Sequence, residues 1–162
     1  MKELKKEIQN RFAAFCKSNG YKKRGYGYFR VIENKVTFSM VLGMRAYNKR
    51  YYVNATLGLT FSDIDDVFLK LVGYRVQGHM GSQLGYLLPN QTYKEWEFSL
   101  FDDNEKEYED FFFSIEQYGF PYLDSINDEE QYFKRLVDRD RRLLGTRDRC
   151  LPILYYLRGE KE

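Results

Sequence analysis

The sequence holds a single histidine, His79, and only two cysteines, Cys16 and Cys150, in 162 residues. Zinc centres generally take three or four nitrogen, sulfur or carboxylate ligands, so neither a metal nor a cofactor is expected. The cysteines lie far apart in sequence, which argues against a disulfide framework and suits a reducing cytoplasm. One histidine cannot supply a recognisable Ser-His-Asp or Cys-His order, and no phosphate loop or other catalytic motif is present. Long apolar runs are also missing. The longest uncharged run, Val76 to Tyr93, is full of Gly, Gln and Asn and cannot span a bilayer. Met1 to Glu7 lacks the apolar core of a signal peptide. A membrane partner is therefore not expected. Net charge is only +2, which gives no general drive toward nucleic acid.

Aromatics, by contrast, are abundant, with 15 Tyr and 13 Phe. Buried tyrosines need hydrogen-bond partners, and exposed ones serve binding surfaces. The length suits a single domain, 1–162, with a real core. Its organising stretch is Tyr26 to Phe61, which reads as three antiparallel strands. Val36, Phe38, Met40 and Leu42 alternate with Thr37, Ser39, Val41 and Gly43. Tyr51, Val53, Ala55, Leu57, Leu59 and Phe61 alternate with Tyr52, Asn54, Thr56, Gly58 and Thr60. Such period-2 alternation marks strands with one buried face. A turn at Glu33-Asn34 is expected to pair Val31 with Val36 and Phe29 with Phe38. A loop from Met44 to Arg50 is expected to pair Met40 with Val53 and Phe38 with Ala55. That register puts Tyr28, Ser39 and Asn54 in one polar row, and Arg30, Thr37 and Thr56 in the next.

Around these strands the pattern is helical. Leu4, Ile8, Phe12, Phe15 and Cys16 form one stripe of a helix over residues 2–19, stopped by Gly20. Ser62 caps a short helix that ends at Gly73. Tyr74 to Val76 and Leu84 to Leu88 read as strands joined by a loop containing His79, and Thr92 to Leu100 as a further strand. Asp102 or Asp103 opens a helix that Gly119 and Pro121 stop. Asn127 and Glu130 resemble a capping box, opening a helix that runs to about Leu144. Thr146 caps a last helix in which Pro152 is tolerable only in the first turn. The fold class that follows is α+β, an antiparallel β-meander with helices packed on one face.

The helix, then Asn19-Gly20-Tyr21-Lys22-Lys23-Arg24-Gly25, Tyr28-Phe29-Arg30 and the strand Tyr52 to Gly58, resembles the bacterial domain of unknown function family 4304. The Trp96 strand and the turn Gly119 to Leu123 are similar too. The resemblance covers most of the chain, implies the same α+β fold in a bacterial protein, and supplies no catalytic residue.

Other constellations have plainer readings. Cys16 sits on the apolar stripe of the first helix and reads as core. Cys150 lies near a helix N-terminus beside arginines, which would lower its pKa. The acidic segment Asp102 to Asp110 lacks the spacing of a calcium loop and reads as a solvated face. Arg135, Arg139 and Arg142 share a helix face that suits phosphates. Glu130–Lys134 and Asp138–Arg142 pairs at i,i+4 compete with that use. The first expectation is a non-enzymatic binding module, an immunity-type partner protein being one form. It would take a protein or peptide partner on a polar, aromatic sheet face centred on Tyr28, Arg30, Tyr52 and Asn54, since Tyr and Arg are enriched at binding hot spots. The alternatives are a small enzyme with a groove around His79 and a nucleic-acid accessory protein using the basic helices.

Overall fold

The first helix, α1 (Lys2–Ser18), buries Leu4, Ile8, Phe12 and Cys16. It ends in a Schellman motif. Gly20 takes φ +80°, its N–H donates to the Lys17 carbonyl, and the Tyr21 N–H donates to the Cys16 carbonyl. The chain reverses there into β1 (Lys22–Arg24), turns through left-handed Gly25, and runs as β2 (Gly27–Glu33), β3 (Val36–Tyr47) and β4 (Arg50–Phe61). These strands form an antiparallel meander. Next come α2 (Ser62–Val72), β5 (Met80–Gln83), α3 (Leu84–Leu87) and β6 (Trp96–Ser99). Both β5 and β6 add to the outer edge of β4, at opposite ends of that strand. The remainder is α4 (Glu105–Ser114), a π-helical turn (Ile115–Gly119), α5 (Phe120–Asp124), α6 (Glu129–Val137), a 3₁₀ turn (Arg141–Leu143) and α7 (Leu144–Leu157). This is a computed structural model, and it describes residues 1–33, 35–73 and 80–159.

The α+β class with an antiparallel sheet stands as read from the sequence. Phe38, Met40, Leu57, Leu59, Trp96 and Phe98 are fully buried beneath the helices, together with Phe12, Phe111, Ile64 and Leu154. The opposite sheet face carries the half-buried Thr37, Val41, Thr56 and Thr60. At the surface beside the core, Arg11 of α1 donates to both carboxylate oxygens of Glu105 and lies 4.2 Å from the Tyr108 ring. Phe12 meets Phe111, and Phe15 stacks on Phe112 at 4.6 Å.

The strand registers differ from the expected ones. Phe38 pairs with Leu59 and Met40 with Leu57, not with Ala55 and Val53. The polar stretch expected as a loop is strand almost to its end. Only Asn48 and Lys49 turn, with φ of 46° and 61°, as a tight hairpin requires. The shift is an even number of residues, so side chains stay on the expected face. In the first hairpin it is odd. Arg30 faces Phe38, Tyr28 faces Met40 and Phe29 faces Ser39, with a bulge between Val31 and Glu33. A one-residue slip reverses every side chain, so Tyr28 and Arg30 point toward the helices. Phe29 and Val31 take the open face, where Val31 is 60% exposed. What favours this register is distant in sequence. Tyr28 packs edge-on against Phe12, and the Arg30 guanidinium reaches the Asn19 carbonyl at 3.2 Å among the Tyr21, Phe38 and Phe120 rings.

The second half brings further corrections. Leu84 to Leu87 is a helical turn, and Met80 to Gln83, which overlaps the expected loop, is strand. Leu84, Leu87 and Leu88 are all buried, a spacing that suits one helical face. His79 and the expected strand Tyr74 to Val76 lie outside the described residues. The expected strand Thr92 to Leu100 shortens to β6. Gly119 and Pro121 do not stop α4, because the π-helical turn carries the chain on and Pro121 falls in the first turn of α5. A Cβ on Gly119 would lie 2.6 Å from Leu57 Cδ2, so its missing side chain lets this helix lie close on β4. Asp128, not Asn127, caps α6, accepting from the Gln131 N–H. That helix ends at Val137, Arg139 takes φ +58°, and Pro152 sits inside α7 beyond its first turn.

Candidate functional site

The four residues expected to form one binding patch are divided between the two faces of the sheet. Tyr52 and Asn54 are on the open face, within a closed polar cluster. The Arg45 guanidinium lies 4.2 Å from the Tyr52 ring and bonds Glu95, with Nη2 to Oε2 at 2.7 Å. Tyr93 stands beside this pair, and the Glu95 carboxylate raises the pKa of its phenol. The Arg45 and Tyr93 bonds hold the Glu95 carboxyl below its ordinary pKa, against the opposing effect of burial. Gly43 stands opposite Asn54, whose side chain fills the space a Cβ would need. Arg45 and Glu95 are thus paired with each other, over the Tyr52 ring. Arg30 is likewise enclosed, between the C-terminus of α1 and three aromatic rings.

Of the four, Tyr28 lines a groove, together with Tyr26. The groove has a volume of about 630 Å³, within the range of ligand sites. One wall is α1, through Lys5, Gln9, Asn10 and Ala13. The other is the β1–β2 turn, through Lys23, Gly25 and Tyr26. The floor is Phe12, Tyr28, Leu42, Met44 and Tyr51, with Ala46 at the rim. Local chemistry builds this shape. The Schellman cap folds the chain back beside α1, Gly25 turns it at φ +57°, and Tyr28 locks edge-on to Phe12 at 5.4 Å between ring centres. Burial raises the pKa of the Tyr28 phenol, so it presents a neutral hydroxyl at physiological pH. Lys5 and Lys23 contribute positive charge, and no carboxylate is among the lining residues.

Lys5, Gln9 and Ala13 were missed from sequence. Their spacing of four along α1, beside the Leu4-Ile8-Phe12 stripe, is the signal that they share one strip. A small residue in such a strip permits a recess. Met44 and Ala46 were missed because the hairpin was expected to end before them.

The other candidate sites are used up structurally. Arg142 grips Asp140 through two bonds of 2.8 and 2.7 Å and lies 4.6 Å from the Tyr122 ring. Arg135 reaches Asp140 and Ser125, and Arg147 donates to the Leu136 carbonyl. Burial would raise the Asp140 pKa, but its arginine bonds outweigh that and hold it below the usual range. With α6 ending at Val137, the expected common face of Arg135, Arg139 and Arg142 does not form. Glu130 pairs with Arg158, and Asp140 takes the role expected of Asp138. In the acidic segment, Glu105 holds Arg11, while Asp110 accepts from Lys94 and from Trp96 Nε1. Among the described residues no group of His, Cys, Asp and Glu is arranged to hold a metal. Both cysteines are buried. Burial pushes the Cys16 thiol up to about 12. It also raises Cys150, against the lowering expected from its arginines, with nearby Tyr132 and Arg149 offsetting only part of the effect. No helix among the described residues is long and apolar enough to cross a membrane.

No family model matches the chain, and no curated protein or solved structure matches it. The resemblance to family 4304 therefore carries no part of the functional argument.

Proposed function

We propose that the chain is a non-enzymatic binding module whose groove between α1 and β3 receives an acidic, partly apolar segment of a partner protein. The observation that carries this reading is the groove itself: two lysines and three tyrosines around an apolar floor, with no carboxylate in its lining. Tyrosine combines contact area with a hydroxyl at low entropic cost. Lysines at the rim favour acidic partners and speed their approach. The two thiols are buried and held protonated, which suits packing and not nucleophilic chemistry. A protective partner protein of the immunity type, in a bacterial cytoplasm, is one form such a module takes.

The test is an array of hexapeptides alternating acidic and apolar residues, probed with the wild-type chain and with a Lys5→Glu, Lys23→Glu double variant. Both lysines are exposed, so the fold should be unaffected, as circular dichroism checks. Peptides that bind the wild type should bind the variant about tenfold more weakly or worse. Equal binding by the two chains, or no binding by the wild type, would refute the reading.

A further inference from the structure

Resting on the reading of the groove as the binding site, we propose that its occupant enters as an extended peptide that pairs with the edge of β3 from Leu42 to Tyr47, extending the sheet by one strand. β3 has 12 residues and β2 only 7, and their pairing stops at Gly27 opposite Val41. Beyond Val41, β3 pairs with β4 alone. The tight closure of Tyr47 on Arg50 sets the hydrogen-bond alternation of this hairpin. It turns the N–H and C=O groups of Leu42, Met44 and Ala46 away from β4, toward the groove that these same residues line. Among the described residues no backbone group bonds them on that side.

The neighbouring edges are blunted, and this one is not. β1 is three residues long, and all three (Lys22, Lys23 and Arg24) are charged and exposed. The part of β2 beyond β1 carries the bulge between Val31 and Glu33. Short charged edges and bulges are the usual devices against edge pairing. The β3 edge has neither, and it opens onto a cavity.

A peptide of six residues covers this edge, a span of about 20 Å at about 3.4 Å per residue. Alternate side chains would enter the groove against Leu42, Met44 and Tyr51, which calls for apolar residues there. The wall lysines, Lys5 and Lys23, call for carboxylates beside them. Strand addition of this kind takes affinity from the main chain and selectivity from alternate pockets.

The experiment uses the tightest hexapeptide from the array and the full chain. Single N-methyl groups are placed on each peptide amide in turn. Strand pairing predicts two classes: alternate positions weaken binding by about tenfold, and the intervening ones change it by less than about twofold. Amide exchange at Met44 and Ala46 should slow by about tenfold or more in the complex. Binding that ignores N-methylation at every position, yet is lost in the Lys5→Glu, Lys23→Glu variant, would overturn strand pairing and leave the groove reading intact. Binding unchanged in that variant, or no hexapeptide bound at all, would overturn both.

Discussion

Replacing Arg30 by alanine separates the observed register of the first hairpin from the expected one. On a solvated sheet face the change would cost no more than about 0.5 kcal/mol. Instead, Arg30 Nη1 donates to the Asn19 carbonyl at 3.2 Å, and the guanidinium lies 5.1 Å from the Tyr21 ring and 5.6 Å from that of Phe38. A hydrogen bond from a charged group contributes about 1.5–3 kcal/mol, and a partly desolvated cation over aromatic rings about 0.5–2 kcal/mol. Against this, Arg30 Nε is buried with no hydrogen-bond partner among the described residues, and ordering a long side chain costs up to about 2 kcal/mol. Adding the lost packing of the stem, Arg30→Ala should cost about 2–4 kcal/mol. Arg30→Met keeps the stem and should cost about half as much. Urea unfolding reads both. With a slope of about 2 kcal/mol per molar, the alanine variant should lose about 1–2 M in midpoint at unchanged slope. A loss below about 0.5 kcal/mol for Arg30→Ala would refute the placement of Arg30 and, with it, the register of β2.

Phe38→Ala should cost about 3–5 kcal/mol as a cavity in the core, whereas Asn54→Ala, on the half-buried open face, should cost about 1 kcal/mol or less; equal losses in chemical denaturation would count against a one-sided core. Gly119→Ala gains about 1 kcal/mol of helix propensity, but its new methyl must displace Leu57. A net loss of about 1–2 kcal/mol is expected, and a rise in melting temperature would show that the helix shifts freely. Cys16 should resist thiol reagents at pH 8 until the chain unfolds, and fast labelling of the native protein would contradict its burial. Its folded pKa, about 12, lies above the unfolded value. Between roughly pH 9 and 12 the unfolded state therefore binds fewer protons at this site than the folded state does. The stability it confers is fully present below pH 8 and falls by about 1.4 kcal/mol per pH unit through that window. Cys16→Ala should flatten that part of an alkaline stability profile, and an unchanged profile would refute the linkage.

What the sequence made legible was what local pattern decides. The α1 stripe, its glycine stop and the buried faces of β3 and β4 are read correctly because periodicity alone specifies them. Even the four-residue error in the second hairpin leaves the faces intact. β2 was misread because both of its faces carry large side chains: Phe29 and Val31 on one, Tyr28 and Arg30 on the other. Phe12 and Asn19, far from the turn, settle that contest. The turn at Asn48 and Lys49 was hidden because lysine in left-handed backbone leaves no local trace. Of the groove's residues, Tyr28 is singled out by the sequence but for the opposite sheet face, which the one-residue slip reverses. Its partners on α1 are not, since a groove between a helix and a strand edge is a property of packing.

The attachment of α1 has a consequence for the order of events during synthesis. Its buried stripe is covered by α4 and the residues that follow, through Phe111, Phe112, Phe120 and the Arg11–Glu105 pair. About a hundred residues separate the helix from that cover. At about 5–20 residues per second, the ribosome leaves the stripe without it for about 5–20 s. The residues that line the groove all fall between Lys5 and Tyr51, so walls and floor are synthesised before α4 and only the outer cover of α1 is delayed. A nascent chain halted after β4 would hold every lining residue of the groove but not the aromatic cover that fixes α1 from its other side.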